Sequence, residues 1–278
     1  LINYAKRNKV LYLLGLYDER IRKIHAWIKL HKKLLKYYDI VRELMEIVEK
    51  LNLRVLIVKT LKPFAYVPDD IDVLLIDEVG LTNLISKLRK CKFFIRKKGT
   101  PEVTIRKVHG EISVDLDIHT KMGAGTYEYI NKHYLWRRHV YKEFGDIPVP
   151  TPNDIDEILI TAAHAILKEF KVTLADITHI IYAEKSALRS AEIQAKELGL
   201  SKALNYLINI AHNTLDCIKE GKVLLKKFPQ KVPIPIIISA YKENVSRRLR
   251  IYGLKPIVEL LRTPSSKGIG VFIDYLSS

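Results

Sequence analysis

Apolar residues recur at helical spacing through the first fifty positions. Leu11, Leu14 and Leu16 open the pattern, and Ile21, Ile24, Ile28 and Leu35 continue it at intervals of three, four and seven. Ile40, Leu44, Ile47 and Leu51 repeat the period, and Asn52 is a plausible stop. The polar side of this region is basic, with Arg20, Arg22, Lys23, Lys29, Lys32, Lys33 and Lys36. The pattern then changes. Arg54 to Val58 is a short β-branched run that reads as a buried strand ending at Lys59-Thr60. A loop with Pro63 and Pro68 leads into Asp69-Asp70-Ile71-Asp72-Val73-Leu74-Leu75-Ile76, read as a second strand.

Leu81, Leu84, Ile85 and Leu88 mark a helix over 81–90, and Phe93 to Ile95 suggests another strand. Two strand-like runs, 103–108 and 111–120, flank His109-Gly110 and predict a hairpin. Its second run alternates strictly: Ile112, Val114, Leu116 and Ile118 face one way, and Ser113, Asp115, Asp117 and His119 the other. Residues 126–140 read as a helix rich in aromatic and basic side chains, and Pro148-Val149-Pro150 as a linker. Thr151-Pro152-Asn153-Asp154 is a helix start. Helical periods follow over 174–183, 187–198, 202–217 and 241–261, with a break expected near Gly253 and Pro256. The chain divides on this reading into basic helices (1–52), an α/β core (53–150) and a helical domain (151–278).

Composition narrows the function classes. Hydrophobic content of 48% excludes general disorder. No apolar run is long enough to cross a bilayer. Leu1 to Val10 carries charges and no long apolar core, unlike a secretory signal. The two cysteines, Cys91 and Cys217, have no paired spacing, which fits a reducing, cytoplasmic setting and excludes a cysteine-based zinc site. Net charge is +16, with 47 Lys+Arg against 31 Asp+Glu. That balance suits polyanionic partners such as nucleotides or RNA, and equally the lysine-rich habit of thermophile proteins.

The chemistry centres on Asp70 and Asp72. Two carboxylates two residues apart on a strand share a face and can grip one hard cation through oxygen. If the strand of Asp115 and Asp117 pairs beside them, a third carboxylate joins. Such a cluster binds one or two Mg²⁺ (or Mn²⁺) ions that keep substrate phosphates in their shell. Lys59-Thr60 could offer an ammonium and a hydroxyl to phosphate. His164 and His179 lie on helices, where satisfied or surface histidines are the common case. Ser265 to Gly270 lacks the phosphate-loop spacing.

These residues resemble the nucleotidyltransferase superfamily related to DNA polymerase β. Its usual signature is Gly-Ser, nine to thirteen residues, then Asp-hydrophobic-Asp-hydrophobic. Here nine residues separate Lys59-Thr60 from Asp70-Ile71-Asp72-Val73. Val58-Lys59, Asp70-Ile71-Asp72-Val73-Leu74-Leu75, Asp117-Ile118-His119 and the helical His164 look more narrowly like an uncharacterised branch of that superfamily. The resemblance spans roughly residues 53–185. It implies a polymerase-β-type core with a mixed sheet, flanked by N-terminal helices and a C-terminal helical domain. It implies magnesium-dependent transfer of a nucleoside monophosphate from an NTP to a hydroxyl acceptor, RNA and protein among the candidates. Asp70 and Asp72 would be metal ligands and Asp117 the third carboxylate, with Asp115 its rival. Lys59 and Thr60 would meet the nucleotide's phosphates. The turn departs from the pattern in having no glycine. The other class open to this chain is a degenerate nucleotidyltransferase fold that binds nucleic acid or protein without catalysis.

Overall fold

A computed structural model describes residues 2–99, 101–221 and 228–262, so Ser265 to Gly270 lies outside the described residues. The chain runs α1 (Ile2–Arg7), α2 (Leu11–Tyr17), α3 (Glu19–Arg22), α4 (His25–Lys50), β1 (Val55–Val58), β2 (Ile71–Leu75), α5 (Leu81–Lys90), β3 (Phe94–Lys98), β4 (Glu102–His109) and β5 (Ile112–His119). It continues through β6 (Met122–Ala124), β7 (Tyr127–Ile130), α6 (Lys132–Arg137), β8 (Val140–Phe144), β9 (Ile147–Thr151) and α7 (Asp154–Ala163). Then come β10 (Lys171–Val172), α8 (Leu174–Tyr182), α9 (Lys185–Leu198), α10 (Ser201–Lys219), β11 (Gln230–Lys231), α11 (Ile234–Tyr252) and α12 (Lys255–Leu261). The chain forms two compact units. One takes in Lys9–Met122 and Asn131–Asn153; the other gathers Leu1–Asn8, Gly123–Ile130 and the chain from Asp154 onward. The basic helices α2–α4 thus belong to the same unit as the sheet, in place of a separate segment 1–52.

The first unit is built on a mixed five-stranded sheet of order β1-β2-β5-β4-β3. β2 runs parallel to β5, and the other pairs are antiparallel. Val55 and Ile57, Ile71, Val73 and Leu75, and Val114, Leu116 and Ile118 share one sheet face because strand side chains alternate. Against that face packs α4 through Tyr37, Ile40, Val41, Leu44, Ile47 and Val48. The buried stripe of α4 is therefore set by Trp27, Tyr37 and the residues in phase with them. Ile28 and Leu35, expected on it, are exposed at 39% and 48%. The reason is phase: a large buried ring at Tyr37 rotates the stripe away from its isolated neighbours.

The hairpin β4–β5 turns at Gly110-Glu111, one residue later than expected, with Gly110 at φ 59°. Residues 127–130 form a strand where a helix was expected. Tyr127 and Tyr129 suit a pleated surface, and β7 pairs with β6 at so close a range that a Cβ on Gly123 would lie 1.9 Å from the Tyr127 carbonyl oxygen. The helix α6 starts only at Lys132, where the Asn131 side chain accepts from the His133 and Tyr134 N–H groups. Nor is Pro148-Val149-Pro150 a linker. It lies within β9, paired with β8. Prolines at alternate positions can turn both missing N–H groups away from a single partner strand.

In the second unit, Thr173 and Asp176 form a reciprocal capping box that starts α8. Gly253 ends α11 at the expected break. His164 opens a single π-helical stretch, His164–Lys168, that continues α7.

Leu116, fully buried on the central strand β5, has a direct energetic consequence. Leu116→Ala should lower unfolding free energy by roughly 2–5 kcal/mol. Urea denaturation checks this, and a midpoint unchanged from wild type would refute the placement.

Candidate active site

The turn after β1 does unusual backbone work. Lys59 takes φ 58°, a left-handed conformation that side chains rarely adopt. The turn has no glycine, and Lys59 takes this conformation with a full side chain. Its Nζ reaches Asp72 Oδ1 at 2.5 Å. Thr60 follows and is buried. Its hydroxyl donates to the Val58 carbonyl at 3.1 Å and accepts from the Asp72 N–H at 3.4 Å. With these two contacts Thr60, expected to meet phosphate, fastens the turn to β2.

β2 begins at Ile71, so Asp70 lies on the approach to the strand and Asp72 within it. Parallel pairing sets Asp72 directly opposite Asp117 on β5. In the next pair of strands Thr104 faces Asp117, and Glu102 faces His119. His119 Nε2 lies 2.8 Å from Asp72 Oδ1, and its Nδ1 lies 3.6 Å from Glu102 Oε2. An ionised carboxylate only accepts, so the imidazole proton that meets Asp72 sits on Nε2. Both contacts to Asp72 fall on Oδ1. Asp117 Oδ1 is buried and accepts no hydrogen bond.

The charges are unequal in consequence. Burial alone would push Asp72 up. The Lys59 ammonium, then the hydrogen bond and charge of His119, hold it well below the usual carboxylate range. Asp70 goes the other way: burial first, then the charges of Asp72 and Asp117, push it up to about 7 against the pull of Lys59 and Lys9. Lys59 stays protonated because Asp72, by charge and hydrogen bond, outweighs its burial.

The loop entering β2 is held from the helical side. Lys9 Nζ pairs with Asp69 Oδ2 at 3.0 Å. Lys33 Nζ donates to the Asp69 carbonyl at 2.6 Å, and the Tyr37 hydroxyl donates to the same carbonyl at 2.9 Å and to that of Pro68 at 3.1 Å. Burial pushes the Lys33 ammonium down and the Tyr37 phenol up. Nothing in the sequence set Lys33 apart from Lys29 or Lys32, and Lys9 carries no motif. Glu102 was missed as well. Only its place opposite His119 in the hairpin register could have singled it out.

Asp115, the rival of Asp117, is held by two arginines. Arg106 holds it from the facing strand position, with Nε–Oδ1 at 2.6 Å and Nη2–Oδ2 at 2.8 Å, and Arg96 adds Nη1–Oδ2 at 2.6 Å. Both oxygens of Asp115 accept from guanidinium groups, whereas Asp117 Oδ1 accepts no hydrogen bond. His179 is a buried helix histidine whose Nδ1 meets the Thr161 hydroxyl at 2.9 Å, and His164 lies 3.8 Å from Glu169. Within 126–140, the aromatic and basic residues of the first unit form their own surface group. Trp136 stacks on His139 with centroids 4.2 Å apart, and Arg54 lies over the Trp136 ring.

The donor set suits a divalent cation. Asp70, Asp72 and Asp117 are hard oxygen donors, one of them with a buried oxygen that bonds nothing. Among the described residues Asp70 shows no side-chain hydrogen bond or ion pair, and the contacts of Asp72 with Lys59 and His119 fall on Oδ1. Among the described residues, however, no three His, Cys, Asp or Glu side chains are drawn together as a ready metal-holding group. No protein-family model matches the chain, and no curated protein matches it in sequence. No helix among the described residues is long and apolar enough to cross a membrane.

Asp70 gives the site a pH signature. A carboxyl that titrates at about 7 when folded, against 3.8 ordinarily, binds its proton more tightly in the folded state. The folded protein therefore loses stability at this group as pH rises from about 4 through 7. Without divalent cations, Asp70→Asn should raise unfolding free energy by about 1–3 kcal/mol near pH 8, and the gain should vanish near pH 4. Asp72 has the opposite sign, contributing stability above the ordinary carboxyl range that is lost on acidification. Urea denaturation at the two pH values checks the first effect, and equal stabilities at pH 8 would contradict the placement of Asp70.

Proposed function

We propose that this chain is a magnesium-dependent nucleotidyltransferase with a polymerase-β-type core. It would transfer a nucleoside monophosphate from an NTP to an acceptor hydroxyl, forming a phosphoester at the α-phosphorus and releasing the β- and γ-phosphates as pyrophosphate. The observation that carries the reading is the parallel register that sets Asp72 opposite Asp117, with Asp70 beside them and one Asp117 oxygen buried without a partner.

Asp70, Asp72 and Asp117 would hold Mg²⁺ or Mn²⁺. Bound there, the cation would polarise the reacting phosphate and lower the pKa of the attacking hydroxyl. Asp117 would take that hydroxyl's proton. Lys59 keeps Asp72 ionised. His119, with Glu102 behind it, fixes the direction of the Asp72 carboxylate, the role an outer partner has for a ligating group. Leu56, Val58 and Leu74 are fully buried around these strands and help exclude water from them. The basic balance of the chain favours a polyanionic partner. The acceptor carries a hydroxyl, and small molecules, protein side chains and RNA ends all offer one.

The second reading is a non-catalytic protein of this fold. The Lys59 ammonium on Asp72, and the carboxylates not drawn together, favour it. Thermal shift with Mg²⁺ and each NTP, together with transfer from α-phosphate-labelled NTP, separates the two. An enzyme should be stabilised by about 2–3 kcal/mol at a hundredfold excess of nucleotide over its Kd. Asp117→Asn should then lower label transfer by about 100-fold or more. Absence of any nucleotide response, with salt-sensitive RNA binding unchanged in Asp70→Asn/Asp72→Asn, would decide for the non-catalytic protein.

A further inference from the structure

We infer that Lys9, in the turn between α1 and α2, and Lys33, on α4, are the phosphate-binding arm of the site and grip the triphosphate of the incoming nucleotide. The inference rests on the nucleotide reading above and adds residues that lie outside the resemblance. The two ammoniums converge on one residue. Lys9 meets the Asp69 carboxylate and Lys33 the Asp69 carbonyl, so both stand one residue from Asp70. Lys9 is near enough to repel both Lys33 and Lys59 electrostatically. Asp69 and Asp70 help keep these ammoniums charged in spite of burial, so the loop holds cations ready for a phosphate beside the carboxylates. A triphosphate carries more negative charge than one divalent cation cancels, so side-chain cations must take up the rest.

Lys9 ends the turn after α1 in the left-handed region, at φ 59°, as Asn52 does after α4. On α4 the neighbouring lysines behave differently. Lys36 pairs with Asp39 along its own helix, and Lys29 and Lys32 are exposed. Lys33 instead folds onto main-chain carbonyls of the loop, contacts that a phosphate oxygen readily replaces because they carry no full charge. Asp69, whose side chain is 74% exposed, can likewise release Lys9 to water.

Isothermal titration of the full chain with each Mg²⁺-NTP and with inorganic triphosphate tests this. Wild type should bind inorganic triphosphate and at least one NTP. Lys9→Gln and Lys33→Gln should each weaken both by about 10-fold or more, and Lys9→Arg should retain most of the affinity. Should Lys9→Gln fail to fold, Lys33→Gln against Lys33→Arg carries the comparison. Equal NTP affinity in wild type and both glutamine variants overturns the inference and leaves the nucleotidyltransferase reading intact. Triphosphate binding that depends on the lysines, without binding of any NTP, overturns the inference for a nucleotide and the nucleotidyltransferase reading with it. No binding of either ligand to wild type overturns both.

Discussion

Two carboxylates stand side by side because β2 and β5 run parallel with Asp72 and Asp117 in register. Like charges at that range repel, and burial strengthens the repulsion. The surroundings resolve it unevenly. Asp72 receives an ammonium and an imidazole on a single oxygen. Asp70 shares the load by holding its proton to about pH 7. Asp117 retains a buried oxygen that bonds nothing. Such an arrangement is costly for a fold with no use for it, since an unmet buried acceptor forfeits about 1–3 kcal/mol. A cation and the phosphates it brings would settle all three groups at once.

The sheet can carry this load because its two faces have separate tasks. α4 and the apolar residues of β1, β2 and β5 bury one face completely. The opposite face of β5 and β4 is then free to be graded along its length, from Arg106 and Asp115 through Thr104 and Asp117 to Glu102 and His119. Burial on one side of a strand supplies the stability that polar chemistry on the other side spends.

Much of this was legible in the sequence. The strict alternation over 112–119 gave β5 and its two faces, because period two has no competing reading in so polar a run. The apolar stretch after Asp72 gave β2, and helical spacing over 81–90 gave α5 to the residue. Elsewhere local pattern lost to tertiary context. Residues 127–130 pair with β6, a contact that propensity does not report. Pro148 and Pro150 suggested a break, yet a strand with a single partner tolerates them. At the site, Asp115 and Asp117 were equivalent by face. Only the neighbours on β3 and β4 distinguish them. Thr60 offered a hydroxyl by type, and burial decided where it went. The lysines of α2–α4 looked like solvated charge because direction, which a one-dimensional pattern omits, is what separates Lys33 from Lys32.

The Asp115 clamp has a further consequence for how this hairpin is assembled. Arg96 is the extra residue of a β-bulge between Ile95 and Lys97, and the bulge is what swings its guanidinium over to the next-but-one strand. Three strands are thereby pinned at one point. A slip of β5 by one position would turn Asp115 to the apolar side and strand two guanidiniums. It would also bring Asp117 round to the buried hydrocarbon face. The clamp thus works as a locating pin: it fixes the alignment in which Asp117 comes to lie opposite Asp72.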